Sequence, residues 1–255
     1  MEAETSPLPF SPPSTGFIDL HSHLLPGIDD GCKSVEDSLA CIATLKANGF
    51  VATVCTPHIW LEEFPENHPA NIRLWVEKLQ EQINEVGVDY PLWPGGEVRL
   101  ANTTTKWFEK YGVPTLGPTN WVLVDYWGYE WPRFADKTLD YLLARGFKPI
   151  LAHPERMNFQ DHELNAVLDH LREMGVWLQG NLNSMSGGEG TQAQMRMKHY
   201  LRNDKYNLIA TDMHRPTDMT GRMNGIRHLG EFVGDDSLQH LLDRRPREIL
   251  SLGNE

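Results

Sequence analysis

His21 and His23 stand two residues apart in the stretch Asp19-Leu20-His21-Ser22-His23, just after the apolar run Gly16-Phe17-Ile18. Residues two apart on a strand point to the same face, so both imidazoles can reach one ion. The chain continues through Pro26-Gly27-Ile28-Asp29-Asp30-Gly31, a turn that delivers two carboxylates nearby. Taken alone, a His-x-His pair reads more readily as hydrogen-bonded histidines than as a metal site. Its company further along changes that reading. His58 follows Thr56-Pro57, Glu97 follows Gly95-Gly96, and Asp125 ends the apolar run from Trp121; His153 ends the run from Lys148, and Asp212 and His214 follow Asn207 to Ala210. Histidine and carboxylate without thiolate form a borderline-to-hard donor set suited to Mn²⁺, Fe²⁺ or Zn²⁺. Five imidazoles with three or four carboxylates exceed the needs of one ion and match two or three ions sharing a bridging carboxylate.

Each of these residues falls where a strand is expected to end. Ser34 is a good helix N-cap for a segment ending near Gly49, and Val51 to Cys55 is a β-branched run. A helix is expected from about Asn71 to Glu85, a less regular strand from Leu92 to Leu100, and an apolar strand from Trp121 to Val124. Helix, strand, helix and strand follow over Arg133 to Ala144, Lys148 to Ala152, Asp161 to Met174 and Val176 to Asn181. A glycine-rich loop, Ser186 to Gly190, opens a helix through about Asn203; the Asn207 to Ala210 run and two short helical stretches close the chain. About seven such alternations imply an α/β fold with a parallel sheet and outer helices. In this length they favour a closed or nearly closed barrel, whose strand exits share one face. Five of the eleven histidines occupy those exits. No Gly-x-Gly-x-x-Gly follows a strand, which removes the main support for dinucleotide binding.

The totals narrow the partners. A chain of 255 residues with 40% hydrophobic content and eight tryptophans can fill the core of one barrel. Its 23 basic and 35 acidic residues leave a net charge of -12, against a duplex-binding surface and therefore against nucleic acid as a partner. Cys32, Cys41 and Cys55 form no Cys-x-x-Cys pair and fit a reducing cytoplasm. No run reaches the length needed to cross a membrane, and the start lacks the pattern of a signal peptide. Residues 1–15, rich in proline, read as a flexible segment ahead of a single domain over residues 16–255.

The motifs DLHSHLLPGIDDG, TPH, GGEVR, AHPER and TDMH, in that order, resemble the polymerase-and-histidinol-phosphatase (PHP) family of metal-dependent phosphoesterases. Within it they are most similar to the bacterial manganese-dependent protein tyrosine phosphatases of capsule and exopolysaccharide clusters. The likeness runs from about residue 17 to the C-terminus and includes Arg245-Pro246-Arg247-Glu248-Ile249-Leu250. It implies a distorted (β/α)7 TIM-like barrel of the PHP type with a trinuclear centre. Carried over residue by residue, His21, His23, Glu97 and Asp212 hold the first ion. Glu97 bridges to a second, held also by Asp125 and His153, while Asp30, His58 and His214 hold the third. Asp125 departs from the glutamate common at its position, and Asp29 is an alternative to Asp30.

The resemblance further implies Mn²⁺ as two or three divalent ions, with Fe²⁺ or Zn²⁺ as alternatives. It implies hydrolysis of phosphotyrosine by an ion-activated hydroxide in the cytoplasm. The implied partner is a phosphotyrosine protein, such as the tail of a bacterial tyrosine autokinase in capsule or exopolysaccharide biosynthesis. Arg156, three residues after His153, is placed to present a guanidinium fork to phosphate, and Arg222 is a second candidate. Cysteine-based dephosphorylation needs an arginine six positions after the cysteine; Ser38, Ala47 and Leu61 stand there instead. A small-molecule phosphomonoesterase such as histidinol phosphatase, and a non-catalytic module with structural ions, are the competing readings. Trp60, Phe64, Trp127, Tyr129, Trp131 and Phe134 either meet a substrate ring or pack loops onto the barrel.

Overall fold

The computed structural model describes residues 12–252. Most of the segment expected to be flexible therefore lies outside the described residues; residues 12–15 form neither helix nor strand. Among the described residues nine strands, all parallel, make two sheets. β1 (Phe17–Ser22), β2 (Phe50–Cys55) and β4 (Leu92–Pro94) form one, in the order β1-β2-β4. β3 (His58–Ile59), β5 (Glu97–Arg99), β6 (Trp121–Asp125), β7 (Lys148–Ala152), β8 (Trp177–Asn181) and β9 (Leu208–Ala210) form the other, in that order.

Seven strands in one closed or nearly closed barrel were expected; the hydrogen-bond ladders form two sheets instead, because two of the seven are interrupted. The break between β2 and β3 falls at Thr56-Pro57, where proline has no N–H for a ladder. The break between β4 and β5 falls at Gly95-Gly96. A Cβ at Gly96 would meet Ile59 Cδ1 and push that side-chain end aside, so glycine lets the two segments lie close without repacking. At the other edge, Asp212 N donates to His21 O (2.9 Å) and His23 N donates to Met213 O (2.7 Å), laying the end of β1 beside the segment after β9.

The helices are α1 (Val35–Ala47), α2 (Pro69–Glu85), α3 (Thr104–Tyr111), α4 (Arg133–Leu143), α5 (Asp161–Met174), α6 (Leu182–Ser186), α7 (Thr191–Arg202), α8 (Met219–Val233), α9 (Asp235–Gln239) and α10 (Arg245–Ile249). Ser34 Oγ caps α1 by accepting from Asp37 N (3.3 Å). Leu164, Leu168 and Leu171 bury one stripe of α5 at helical spacing. Neither α3 nor α6 was anticipated, and the first of the two short closing stretches is the fifteen-residue α8.

Strand residues alternate between two cores, as the period of two demands. Val122, Val124, Leu151 and Ile209 pack with the helices. Ile18, Leu20, Val54, Leu123, Ile150 and Leu208, drawn from both sheets, form a second core closed by Ile249 and Leu250. The two sheets therefore share one interior. Each buried aliphatic side chain there contributes about 2 kcal/mol of hydrophobic stabilisation.

Candidate metal centre

The turn after β1 packs tightly on the strand that precedes it. A Cβ at Gly31 would strike His23 O, and Cys32 N donates to that carbonyl (3.1 Å), folding Asp29 and Asp30 back over the histidines. The chain elsewhere delivers Glu97 on β5, Asp125 at the end of β6, and His153, Asp212 and His214 just beyond β7 and β9. The nine residues expected as ligands fall into four overlapping groups, each with its donor atoms within 4.8 Å of one another. Glu97, Asp125 and His153 form one group as carried over, and His23 joins Asp30, His58 and His214. The remaining expected set divides, with His21 and His23 beside Glu97, and His21 also beside His153 and Asp212.

Glu97 is the hub. Its Oε1 lies 2.9 Å from His153 Nε2, and its Oε2 lies 2.7 Å from His58 Nδ1, 3.4 Å from His21 Nε2 and 3.5 Å from His23 Nε2. Despite that crowding, Glu97 Oε2, His58 Nδ1 and Asp125 Oδ2 are buried without a correctly aligned hydrogen-bond partner. Buried polar atoms seldom go unsatisfied. Nitrogen and carboxylate atoms facing one another in this way fit an intervening cation, and the donor set fits a divalent one.

Contacts behind the ring nitrogens aim them. Gln179 Nε2 donates to Gly180 O (2.6 Å), which turns Oε1 toward His21 Nδ1 at 2.9 Å and leaves His21 Nε2 facing the centre. Asp29 Oδ2 does the same for His23 Nδ1 (2.8 Å) and also accepts from His58 N (3.0 Å). Asp30 instead approaches His58 Nε2 and His214 Nε2, at 3.3 and 3.5 Å. The geometry thus separates the two neighbouring aspartates. Asp212 Oδ2 is occupied by Asn181 Nδ2 and Arg156 Nη1, both at 2.8 Å, leaving Oδ1 for the imidazoles of His21, His23 and His214. Gln179 and Asn181 were missed in the sequence. The signal was present as two amides at i and i+2 on the one strand end without a histidine or carboxylate.

The backbone itself is strained at two of these positions. His153 and Asp212 are non-glycine residues with φ of 30° and 51°, a conformation that costs of order 1 kcal/mol or more and needs support from outside. For Asp212 the support is Asp19, fully buried, which accepts from Thr211 N (3.0 Å) and from the Thr211 hydroxyl. Arg222 adds to it by donating from Nε to Thr211 O (3.0 Å) and Asp212 O (2.8 Å). Its Nε is committed to these backbone carbonyls and its Nη1 to Asp218 O (3.3 Å). Near His153, Glu155 accepts from Asn181 N and Tyr206 Oη, and Arg196 donates to the carbonyls of Met157 and Phe159. Glu155 and Arg196 thereby hold the segment that carries Arg156.

Arg156 lines a cleft with Asp125, His153 and Trp127. Glu189, unforeseen in the sequence, sits 3.5 Å from its Nε. The six loop aromatics take different roles. Trp60 stacks on His58 with ring centroids 4.3 Å apart, with Phe64 beside it. Trp131 donates to Asp136 (2.8 Å) and packs with Phe134 around Tyr126. Trp127 and Tyr129 stay exposed, at 40% and 81%.

Burial pushes the His21 imidazolium pKa down, but Glu97 and Asp212 more than offset this and hold it up to about 9. His58 is likewise opposed by burial and raised by Glu97 and Asp30 to about 11. Burial opposes charge on Glu97 and Asp212 too, yet the adjacent imidazoliums keep both well below the usual carboxylate range. Asp125 moves the other way, raised by burial and by Glu97. In the ion-free protein, protons on His21 and His58 thus supply positive charge to this carboxylate cluster.

Known proteins share both sequence and fold. Tyrosine-protein phosphatase YwqE of Bacillus subtilis is 27% identical over 206 residues, 78% of this chain and 80% of that protein. Tyrosine-protein phosphatase CpsB of Streptococcus pneumoniae is 27% identical over 245 residues, 89% of this chain and 99% of that protein. A chain from the crystal structures of YwqE and CpsB, described as unique metal-dependent tyrosine phosphatases, superimposes with a TM-score of 0.82 at 24% identity, covering 93% of this chain and 95% of that one. A lactonase from Listeria monocytogenes shares the fold at greater distance, with a TM-score of 0.51 at 13% identity over 92% and 94% of the two chains. The family described as capsular polysaccharide synthesis, CpsB/CapC, matches residues 17–251, and the chain belongs to it.

Proposed function

We propose that this chain is a metal-dependent protein tyrosine phosphatase of capsule or exopolysaccharide synthesis, built as one domain over residues 16–255 in a distorted seven-unit barrel. The observation that carries the reading is the buried carboxylate oxygen of Glu97, unpartnered among imidazoles and next to the cleft of Arg156. The shared interior of the two sheets supports the barrel. His21, His23, Glu97 and Asp212, then Glu97, Asp125 and His153, then Asp30, His58 and His214 would hold the ions, with Mn²⁺ the expected one and Fe²⁺ or Zn²⁺ also suited to this mixed imidazole and carboxylate set. Among the described residues no helix is long and apolar enough to cross a membrane. In our reading the protein works in the cytoplasm on a phosphotyrosine protein, a tyrosine autokinase tail being the expected one.

Divalent cations bound here supply Lewis acidity, which acidifies water and offsets charge on phosphoryl oxygens. The protein's own groups do the rest. Arg156 keeps Nη1 on Asp212, has Glu189 near its Nε, and lines the cleft, where the guanidinium edge left over would meet a phosphoryl oxygen. Asn181, at the end of the neighbouring parallel strand, holds the same carboxylate oxygen. A phenolate leaving group, whose parent pKa is about 10, departs without a dedicated acid.

Chelation is expected to abolish hydrolysis of a phosphotyrosyl peptide, and Mn²⁺ to restore it better than Mg²⁺. Faster turnover of histidinol phosphate than of the peptide, or no turnover of either in the Mn²⁺-loaded protein, would overturn the reading. Because His21 and His58 carry protons at neutral pH without ions, Mn²⁺ must displace them. Affinity is therefore expected to rise with pH between about 7 and 9, with proton release visible when binding heats are compared in buffers of different ionisation enthalpy. Gln179→Leu, which removes the contact aiming His21, is expected to weaken Mn²⁺ binding by about 10- to 100-fold in a chelator competition.

A further inference from the structure

Trp127 lies two residues beyond Asp125, on the loop that leaves β6, and it lines the same cleft as Asp125, His153 and Arg156. The ring is 40% exposed, and among the described residues no other aromatic ring packs on it. Its neighbours differ: Trp131 is tied to Asp136, and Trp60 is covered by His58 and by Arg99. The one charged group over Trp127 is the Arg156 guanidinium, 5.3 Å from the ring centroid. That spacing is near the loose end of a cation–π contact.

We propose that Trp127 is a specificity-determining residue of the cleft, an aromatic wall that receives the ring of an aryl phosphate whose phosphoryl end lies toward Arg156, Asp125 and His153. The inference rests on the phosphatase reading and deepens it, by naming what favours a tyrosyl ester over an alkyl one. An offset or edge-to-face ring pair adds attraction beyond simple burial, and an alkyl phosphate offers no ring to make it.

The test uses non-hydrolysable phosphonates, so that leaving-group chemistry plays no part. Binding of phenylphosphonate and methylphosphonate to the Mn²⁺-loaded chain is measured for wild type, Trp127→Ala and Trp127→Phe. Trp127→Ala is expected to weaken phenylphosphonate by roughly 3- to 10-fold, leave methylphosphonate unchanged, and be largely rescued by Trp127→Phe. Equal weakening of both phosphonates would mean that Trp127 acts only by placing Arg156 and would overturn the proposal, as would no change in either. A wild-type chain that binds phenylphosphonate more tightly than methylphosphonate yet turns over no phosphotyrosyl peptide would defeat the phosphatase reading and leave the aromatic wall standing.

Discussion

Glu97→Gln is expected to strip the centre of tightly held metal and to lower turnover of a phosphotyrosyl peptide by about 10³-fold or more. Four imidazoles, those of His21, His23, His58 and His153, point ring nitrogens at this one carboxylate. The amide keeps the size of glutamate but loses its charge, and one of its two ends becomes a donor facing other donors. The same change leaves buried imidazoliums short of a partner, which costs the ion-free fold about 3 kcal/mol. Thermal unfolding with and without Mn²⁺ separates the two effects. Wild type is expected to gain stability on adding the ion, and Glu97→Gln to gain little. A variant that binds the full complement of Mn²⁺ and keeps its rate would remove Glu97 from the centre.

Arg156→Ala is expected to lower turnover by about 10²- to 10³-fold while bound Mn²⁺ stays close to that of wild type. Arg156 Nη1 shares Asp212 Oδ2 with Asn181, so the carboxylate keeps one donor when the arginine is removed. Arg156→Lys is expected to recover little, because a single ammonium cannot hold Asp212 and meet a phosphoryl oxygen through a planar fork. If metal content falls in step with activity, Arg156 acts by fixing Asp212 and not by meeting phosphate.

The candidate ligand residues were legible because they sit at strand ends, and a period of two with an apolar lead-in marks a strand end in the sequence alone. His21 and His23 show this most clearly. The supporting residues were less legible. Gln179 and Asn181 sit at a strand end too, but amides carry no charge or metal preference that would single them out. Asp29 and Asp30 are chemically identical neighbours; which one backs His23 and which reaches His58 and His214 depends on Gly31 packing against His23, a contact made only in the folded chain. Arg222 shows the same limit. An arginine after the last strand is a phosphate candidate by type alone, and only the fold shows that its Nε is taken by carbonyls eleven and ten residues earlier.

The amino-acid sequence by itself determined the donor chemistry, the strand–helix alternation and the family likeness, since all three are written in residue type and local spacing. Only the tertiary structure decided the division into two sheets, the placing of Asp29 behind His23 and of Asp30 toward His58 and His214, and the strained turns at His153 and Asp212. Those depend on backbone close approach and on hydrogen bonds between residues far apart in the chain, which no local pattern records.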